Sequence, residues 1–160
     1  MQIHYFLNIG SNLGNPLLNI SRAVRALEEE FGYFELSKKF ESEPWGYESA
    51  NHFTNIAMMV ISDITPEEML KKIKAIESKL GTGPHRKPDG TYADRIIDID
   101  IMAADELEIT SGTVQIPHPA IAEREFFLVP FEELAPEWRH PATGKSCAEM
   151  LEALRSTRGE

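Results

Sequence analysis

The chain has 160 residues, of which 42% are hydrophobic, and its 26 acidic and 16 basic side chains give a formal net charge of −10. This length and composition predict a single domain over residues 1–160, and the acidic charge argues against non-specific binding to nucleic acids or membrane surfaces. One cysteine, Cys147, rules out an internal disulfide, and the lack of a basic leader or of ~20 consecutive apolar residues predicts a soluble cytoplasmic protein.

The first predicted elements are a strand and a helix. Residues 3–9 have little polar interruption, which predicts a strand, and a turn-rich loop follows at 10–16. Asn15 is the predicted cap of the helix, and Pro16 suits its first position because no N–H bond is needed there. Gly32 ends this helix.

Two strands and a second helix are predicted next along the chain. Apolar runs at residues 34–40 and 53–62 favour strands. Thr65 is a good N-cap, Pro66 fits the first helical position, and acidic residues follow in the first turn. The helix that they begin ends at Gly81.

The C-terminal half is predicted to contain a long loop, one more long strand and several short elements. We expect a loop at 81–94, a strand at 96–103, a small hairpin from 107–109 and 113–115, a short helix at 120–124 and a last helix at 147–154. The resulting order β-α-β-β-α-β suggests a ferredoxin-like α+β sandwich with helices on one or both faces of the sheet. This order alone leaves other topologies open.

The strand predicted at 96–103 carries an acidic pair, Asp98 and Asp100. Because side chains alternate along a strand, both carboxylates share one face about 7 Å apart, and the intervening isoleucines point into a core. Such a pair favours a divalent cation, and oxygen ligands combined with substrate phosphates favour Mg²⁺. Arg95, three residues upstream, adds a cation for a phosphate. The alternative interpretation is a solvated outer face of an antiparallel sheet.

Four separated motifs together resemble the 6-hydroxymethyl-7,8-dihydropterin pyrophosphokinase family. They are Gly10-Ser11-Asn12-Leu13-Gly14, Asn55 in Phe53-Thr54-Asn55, the run from Arg95 to Ile101, and Ile116-Pro117-His118-Pro119 leading to Arg124-Glu125-Phe126-Phe127. The resemblance extends from the first strand to about residue 136. It implies a ferredoxin-like core with an antiparallel sheet and mobile loops over the active site. It also implies transfer of pyrophosphate from ATP to a hydroxymethyl dihydropterin in folate biosynthesis, giving AMP, with two magnesium ions.

The resemblance also implies roles for individual residues. Asp98 and Asp100 match the metal positions, and Arg86 and Arg95 join them as expected catalytic residues. The positions that match the pterin pocket are Ser42, Pro44, Trp45, Phe53, Asn55, Tyr92 and Phe126. The positions that match the ATP site are Glu77, Arg86, Lys87, Arg95, Ile101, His118 and Arg124. We expect a monomer with these two small-molecule substrates as its partners.

The chain departs from the family pattern in the loop before the acidic strand. One arginine of a usual pair is missing, so either Arg86 or Lys87 takes its place, and Tyr92 stands where a tryptophan is usual. Residues 82–94 contain two glycines and two prolines but almost no apolar anchor. We therefore expect a lid that closes over the bound substrates and excludes water.

Two other classes of function are compatible with the acidic strand taken by itself. One is another magnesium-dependent nucleotidyl or phosphoryl transferase, which is distinguished by its products, since a simple kinase yields ADP rather than AMP. The other is a ligand-binding or regulatory ferredoxin-like module, which needs neither Asp98 nor Asp100. Magnesium-dependent binding of ATP distinguishes that module from either enzyme.

Overall fold

The computed structural model describes residues 1–42, 53–81, 96–110 and 112–157, with residue 42 described by its backbone alone. The strands are β1 (Ile3–Ser11), β2 (Phe34–Leu36), β3 (Phe40–Ser42), β4 (Phe53–Ser62) and β5 (Asp98–Ala104). The helices are α1 (Pro16–Phe31), α2 (Pro66–Lys79), α3 (Glu125–Leu134) and α4 (Cys147–Thr157), and a single 3₁₀ turn spans Ile121–Glu123.

The strands form one antiparallel sheet in the order β2-β4-β1-β5, and β3 also pairs with β4. The two long strands β1 and β4 are therefore central, and β5 lies beside β1 at one edge. This arrangement confirms the ferredoxin-like sandwich, with its helices on both faces. In the described part of the chain, no helix combines the length and apolar character needed to cross a membrane.

Two separate cores cover the two faces of the sheet, because side chains alternate along each strand. On the first face, β1 contributes Tyr5, Leu7 and Ile9, which pack with apolar residues of α1 and α2. On the second face, Phe6 and Met102 pack with apolar residues of α3 and α4. The even-numbered positions of β1 therefore face α3 and the odd-numbered positions face α1 and α2.

Local signals begin both of the predicted long helices. The Asn15 side chain accepts a hydrogen bond from the Leu18 N–H at 3.2 Å at the start of α1, as expected for a cap. Thr65 and Glu68 form a capping box at the start of α2, in which each side chain accepts a bond from the other's backbone N–H. These contacts satisfy N–H groups that the first turn of a helix leaves without partners.

Two predicted elements differ from the structure, and one observed helix was not predicted. The strand expected at 34–40 is two short strands, β2 and β3, which both pair with β4. The hairpin expected near residues 107–115 is reduced to one bridge between Ile109 and Ile116. Helix α3 is absent from the prediction, because Pro130 and a run of aromatic residues obscure its helical pattern, yet it packs against the sheet.

Candidate active site

The acidic pair lies on the second face of the sheet, beyond the part that α3 covers. Asp98 is paired in register with Gly10 and Asp100 with Asn8, so all four residues point to the same side. The isoleucines at 97, 99 and 101 are buried in the first core. The predicted alternation of β5 is therefore confirmed, and Ile101, a predicted ATP-site residue, belongs to that core.

Glu77 of α2 holds β5 from the opposite face of the sheet. Its side chain is only 3% exposed, and its Oε2 accepts a hydrogen bond from the Ile99 N–H at 2.7 Å. Ile99 stands between Asp98 and Asp100, so this bond fixes the backbone that carries the acidic pair. The place of Glu77 in the ATP site stays a prediction.

His118 lies next to Asp100, with its Nε2 4.0 Å from Asp100 Oδ1. Its backbone N–H donates to the Met102 carbonyl at 2.9 Å, which attaches the segment after residue 116 to β5. The His118 Nδ1 accepts from the Ala120 N–H at 3.0 Å. Because an imidazole nitrogen that accepts carries no proton, the neutral ring bears its hydrogen on Nε2, toward the acidic pair.

The environment keeps the His118 ring neutral. Burial, and to a lesser extent the nearby Arg124 guanidinium, lowers its pKa to about 4, although Asp98 acts in the opposite direction. Its ring also packs edge-on against Phe127, with centroids 5.0 Å apart. His118 is therefore a hydrogen-bond donor without charge at neutral pH.

Arg124 lies at the start of α3, between the acidic end of the face and the aromatic residues of that helix. Its guanidinium carbon is 5.6 Å from the ring centre of Phe126 and 5.1 Å from that of Phe127, which are cation–π distances. The two rings meet edge-to-face at 5.2 Å. This packing orients the guanidinium close to His118.

Asn55 and Phe126, two predicted pterin-pocket residues, are joined through a third residue. Asn55 Nδ2 donates to Asn8 Oδ1 at 2.7 Å, and Asn8 Nδ2 donates to the Phe126 carbonyl at 2.9 Å. Asn55 is paired with Gly10 in the sheet, so it lies beside the acidic strand on the same face. Phe53, two residues before Asn55 on β4, points to this face as well.

Several predicted site residues lie outside the described residues. They are Pro44, Trp45, Arg86, Lys87, Tyr92 and Arg95, together with the side chain of Ser42 and the expected lid at 82–94. The described residues thus bring together Asp98, Asp100, His118 and Arg124 at one end of the face, and Asn55 and Phe126 beside them.

The described segments contain no group of three or more His, Cys, Asp or Glu residues arranged to hold a metal. Two aspartates on one face are the donor set expected for Mg²⁺, which takes one or two carboxylates and completes its shell with water and phosphate oxygens. Asp98 and Asp100 therefore fit a magnesium ion shared with a phosphorylated substrate.

Sequence reasoning missed Asn8, which is 2% exposed and lies between the predicted site residues. Its signal was present, because Asn8 is a polar residue between the apolar residues Leu7 and Ile9 of β1. A buried amide needs hydrogen-bond partners. Those partners come from β4 and α3, so only the tertiary structure reveals them.

The chain is similar to known proteins over most of its length. The profile of the 7,8-dihydro-6-hydroxymethylpterin-pyrophosphokinase (HPPK) family matches residues 6–136. The 2-amino-4-hydroxy-6-hydroxymethyldihydropteridine pyrophosphokinase of Aquifex aeolicus is 33% identical over 145 residues, covering 91% of this chain and 88% of that protein. The protein of the same name from Porphyromonas gingivalis is 36% identical over 138 residues, covering 85% of this chain and 92% of that protein.

Solved structures of Plasmodium falciparum HPPK-DHPS share the fold. The wild-type protein with pteroate has a TM-score of 0.77 at 15% identity, and the match covers 100% of this chain and 44% of that one. The wild-type protein with SDX-DHP has a TM-score of 0.75 at 15% identity, covering 100% of this chain and 46% of that one. This chain thus spans less than half the length of those solved chains.

Proposed function

The chain belongs to the 7,8-dihydro-6-hydroxymethylpterin-pyrophosphokinase family, and from this premise we propose that it transfers pyrophosphate from ATP to 6-hydroxymethyl-7,8-dihydropterin in folate biosynthesis. One observation carries the proposal: a single sheet face holds the acidic pair of β5 beside the hydrogen-bonded amides of Asn8 and Asn55. The acidic end suits a metal-bound triphosphate. The amide end, with Phe126, suits a flat ring that carries N–H groups.

The reaction joins these two ends of the face. The hydroxymethyl oxygen of the pterin forms a bond to the β-phosphorus of ATP, and the bond from that phosphorus to the α–β bridging oxygen breaks. AMP leaves with the bridging oxygen, and the hydroxyl proton passes to solvent. In a transfer of this kind most of the catalysis is positioning and charge stabilisation.

Asp98 and Asp100 are the residues that would hold Mg²⁺, and we propose two ions shared with the ATP phosphates. When bound, magnesium neutralises the negative charge of the phosphates. The chain supplies the geometry, because β5 holds both carboxylates on one face and Glu77 fixes the intervening Ile99 backbone from the other face.

His118 and Arg124 are proposed to contact the phosphates from the side of α3. The neutral His118 ring donates from Nε2, and Arg124 adds a positive charge that its aromatic neighbours orient. The proposal extends to Glu77 and Ile101 as neighbours of the nucleotide and to Arg86, Lys87 and Arg95 as phosphate ligands. Arg86 and Arg95 act together with the acidic pair in catalysis.

The pterin ring is proposed to bind beside Asn55 and Phe126. A flat heteroaromatic ring is held best by aromatic faces, with a few polar groups at its edge. Asn55 reads that edge, and Phe53 and Phe126 pack on the ring. Ser42, Pro44, Trp45 and Tyr92 complete the proposed pocket.

The test is incubation of the protein with ATP, magnesium and 6-hydroxymethyl-7,8-dihydropterin, followed by chromatography of the nucleotides and pterins. We expect stoichiometric AMP and pterin diphosphate. ADP with a pterin monophosphate indicates a simple phosphoryl transferase instead. Omission of the pterin is the control, since AMP formed without it reflects hydrolysis.

The proposal includes a monomer that works in the cytoplasm and binds no nucleic acid. The net charge of −10 argues against nucleic-acid binding, and the single, buried free cysteine fits a reducing compartment. Sedimentation at micromolar concentration tests the monomer, and a mass near 36 kDa rather than the 18.1 kDa of one chain contradicts it.

A further inference from the structure

We propose that Asn8 is a positioning residue for recognition of the pterin ring, because it fixes the orientation of the Asn55 amide. This inference rests on the proposed function and assigns to β1 a role in substrate selection. Asn8 reaches both Asn55 on β4 and Phe126 on α3, which are separated by 71 positions in the chain but meet here through one amide.

The direction of the hydrogen bonds follows from chemistry. The Phe126 carbonyl only accepts, so the group of Asn8 that faces it at 2.9 Å is its NH₂. The Asn8 Oδ1 must then face Asn55, and it accepts from Asn55 Nδ2 at 2.7 Å. The Asn55 Oδ1 is thereby directed away from Asn8 as an acceptor.

The Phe126 carbonyl is available to Asn8 because of Pro130. In a regular helix the carbonyl of residue 126 accepts from the N–H of residue 130, but proline has no N–H. The proline inside α3 therefore frees the acceptor that Asn8 uses. The amide of Asn8 on β1 thus replaces the N–H donor that Pro130 lacks in α3.

Burial makes the arrangement selective. Asn8 is 2% exposed and Asn55 is 4% exposed, so neither amide has ready access to bulk water. Among the described residues the Asn55 Oδ1 has no hydrogen-bond partner. A buried acceptor of this kind is suited to the amino and ring N–H groups of a pterin, and leaving it unpaired costs free energy.

Gly10 maintains the space that this geometry needs. It is paired with Asn55 across the two central strands, and a Cβ added at Gly10 lies 2.5 Å from Asn55 Nδ2. Any side chain there pushes the amide out of reach of Asn8. The Asn55 amide is thus held between Gly10, which has no side chain, and the Oδ1 acceptor of Asn8.

The experiment is a double-mutant cycle of Asn8→Ala and Asn55→Ala, with separate dissociation constants for the pterin and for magnesium-ATP. We expect Asn8→Ala to weaken pterin binding about tenfold, the effect of one hydrogen bond of ordinary strength. ATP binding changes less than twofold. In the Asn55→Ala background, the added Asn8→Ala change has no further effect on pterin binding, because Asn8 acts through Asn55.

Two further variants separate positioning from general damage. Asn8→Leu keeps the branched shape of the side chain but removes its hydrogen-bonding groups, and it should reproduce the loss in pterin affinity. Tyr5→Phe is the matched control, since it removes the hydrogen bond from the Tyr5 hydroxyl to the Ile64 carbonyl on the opposite face of the same strand. We expect that control to lower the melting temperature without changing pterin affinity.

Unchanged pterin affinity in Asn8→Ala, equal losses for pterin and ATP, or full additivity in the cycle each overturn the inference. A wild-type protein that binds pterin and forms AMP, combined with any of these results, leaves the proposed function intact. A wild-type protein that neither binds pterin nor forms AMP defeats the proposed function and this inference together.

Discussion

At the scale of single residues, Asp98 and Asp100 are two like charges held on one face of a strand. We predict that Asp98→Ala or Asp100→Ala lowers turnover by orders of magnitude, because each change removes a proposed magnesium ligand. The melting temperature should stay the same or rise slightly, since like-charge repulsion is relieved. Initial rates across a magnesium titration, with thermal unfolding alongside, measure both effects. Near-normal turnover at saturating magnesium contradicts the metal assignment.

His118 provides a second residue-scale prediction, which concerns pH. Its pKa in the free protein is lowered to about 4, from 6.5, mainly by burial. The unfolded chain therefore binds a proton at His118 more readily than the folded chain does. The contribution of His118 to the free energy of unfolding is consequently highest above pH 6.5 and decreases as the pH falls toward 4. At about 1.4 kcal/mol per pKa unit, this loss has a limit of roughly 3 kcal/mol.

The matched variant for this pH effect is His118→Gln, which stays neutral at every pH. Denaturant unfolding of the metal-free protein between pH 7 and pH 4.5 should show a smaller loss of stability in the variant than in the wild type. The NMR resonances of the His118 imidazole are assigned by their absence from the spectrum of the variant. Their pH titration in the wild type gives the pKa of His118 directly. Parallel stability profiles for the two proteins show that His118 is not the group responsible.

At the scale of secondary-structure elements, α2 supports the acidic strand through Glu77. We predict that Glu77→Ala destabilises the fold by about 1–3 kcal/mol, because it leaves the buried Ile99 N–H without its acceptor. Glu77→Gln should recover at least half of that loss, since its amide oxygen still accepts. Chemical unfolding of the three proteins measures the difference. A Gln variant as unstable as the Ala variant indicates that charge, rather than the hydrogen bond, is what matters at Glu77.

Strand and helix lengths explain why the site lies where it does. Strand β4 has 10 residues and spans about 33 Å, whereas α3, also of 10 residues, spans only about 15 Å. The helix therefore covers part of the second face, where Phe6 and Met102 pack. The polar residues of β1, β4 and β5 occupy the remainder of that face.

At the scale of the whole molecule, two cores must form on one sheet, and Cys147 reports on the second of them. Burial, with the nearby Glu132 as a lesser cause, raises the pKa of its thiol to about 12. We predict very slow reaction with a thiol reagent at pH 8 and fast reaction once denaturant unfolds the chain. Rates measured across a denaturant series test this. Rapid labelling of the native protein means that α4 separates from the sheet without global unfolding.

Local chemistry accounts for what the sequence by itself determined about this protein. The caps at Asn15 and Thr65 act on their own helices, and the facing of Asp98 and Asp100 follows from the two-residue period of a strand. The order and spacing of the sequence motifs indicated the family and its reaction. None of these inferences depends on which strands become neighbours.

Only the tertiary structure decided which distant residues meet. The sheet register places Asn8 between Asn55 and α3, and packing against the sheet stabilises α3 despite Pro130. The aromatic and proline residues of that helix give a weak local signal, since its stability comes from burial against β1 and β4. Register and burial are non-local quantities. Hence the acidic pair is readable from eight consecutive residues, whereas the role of Asn8 required the fold.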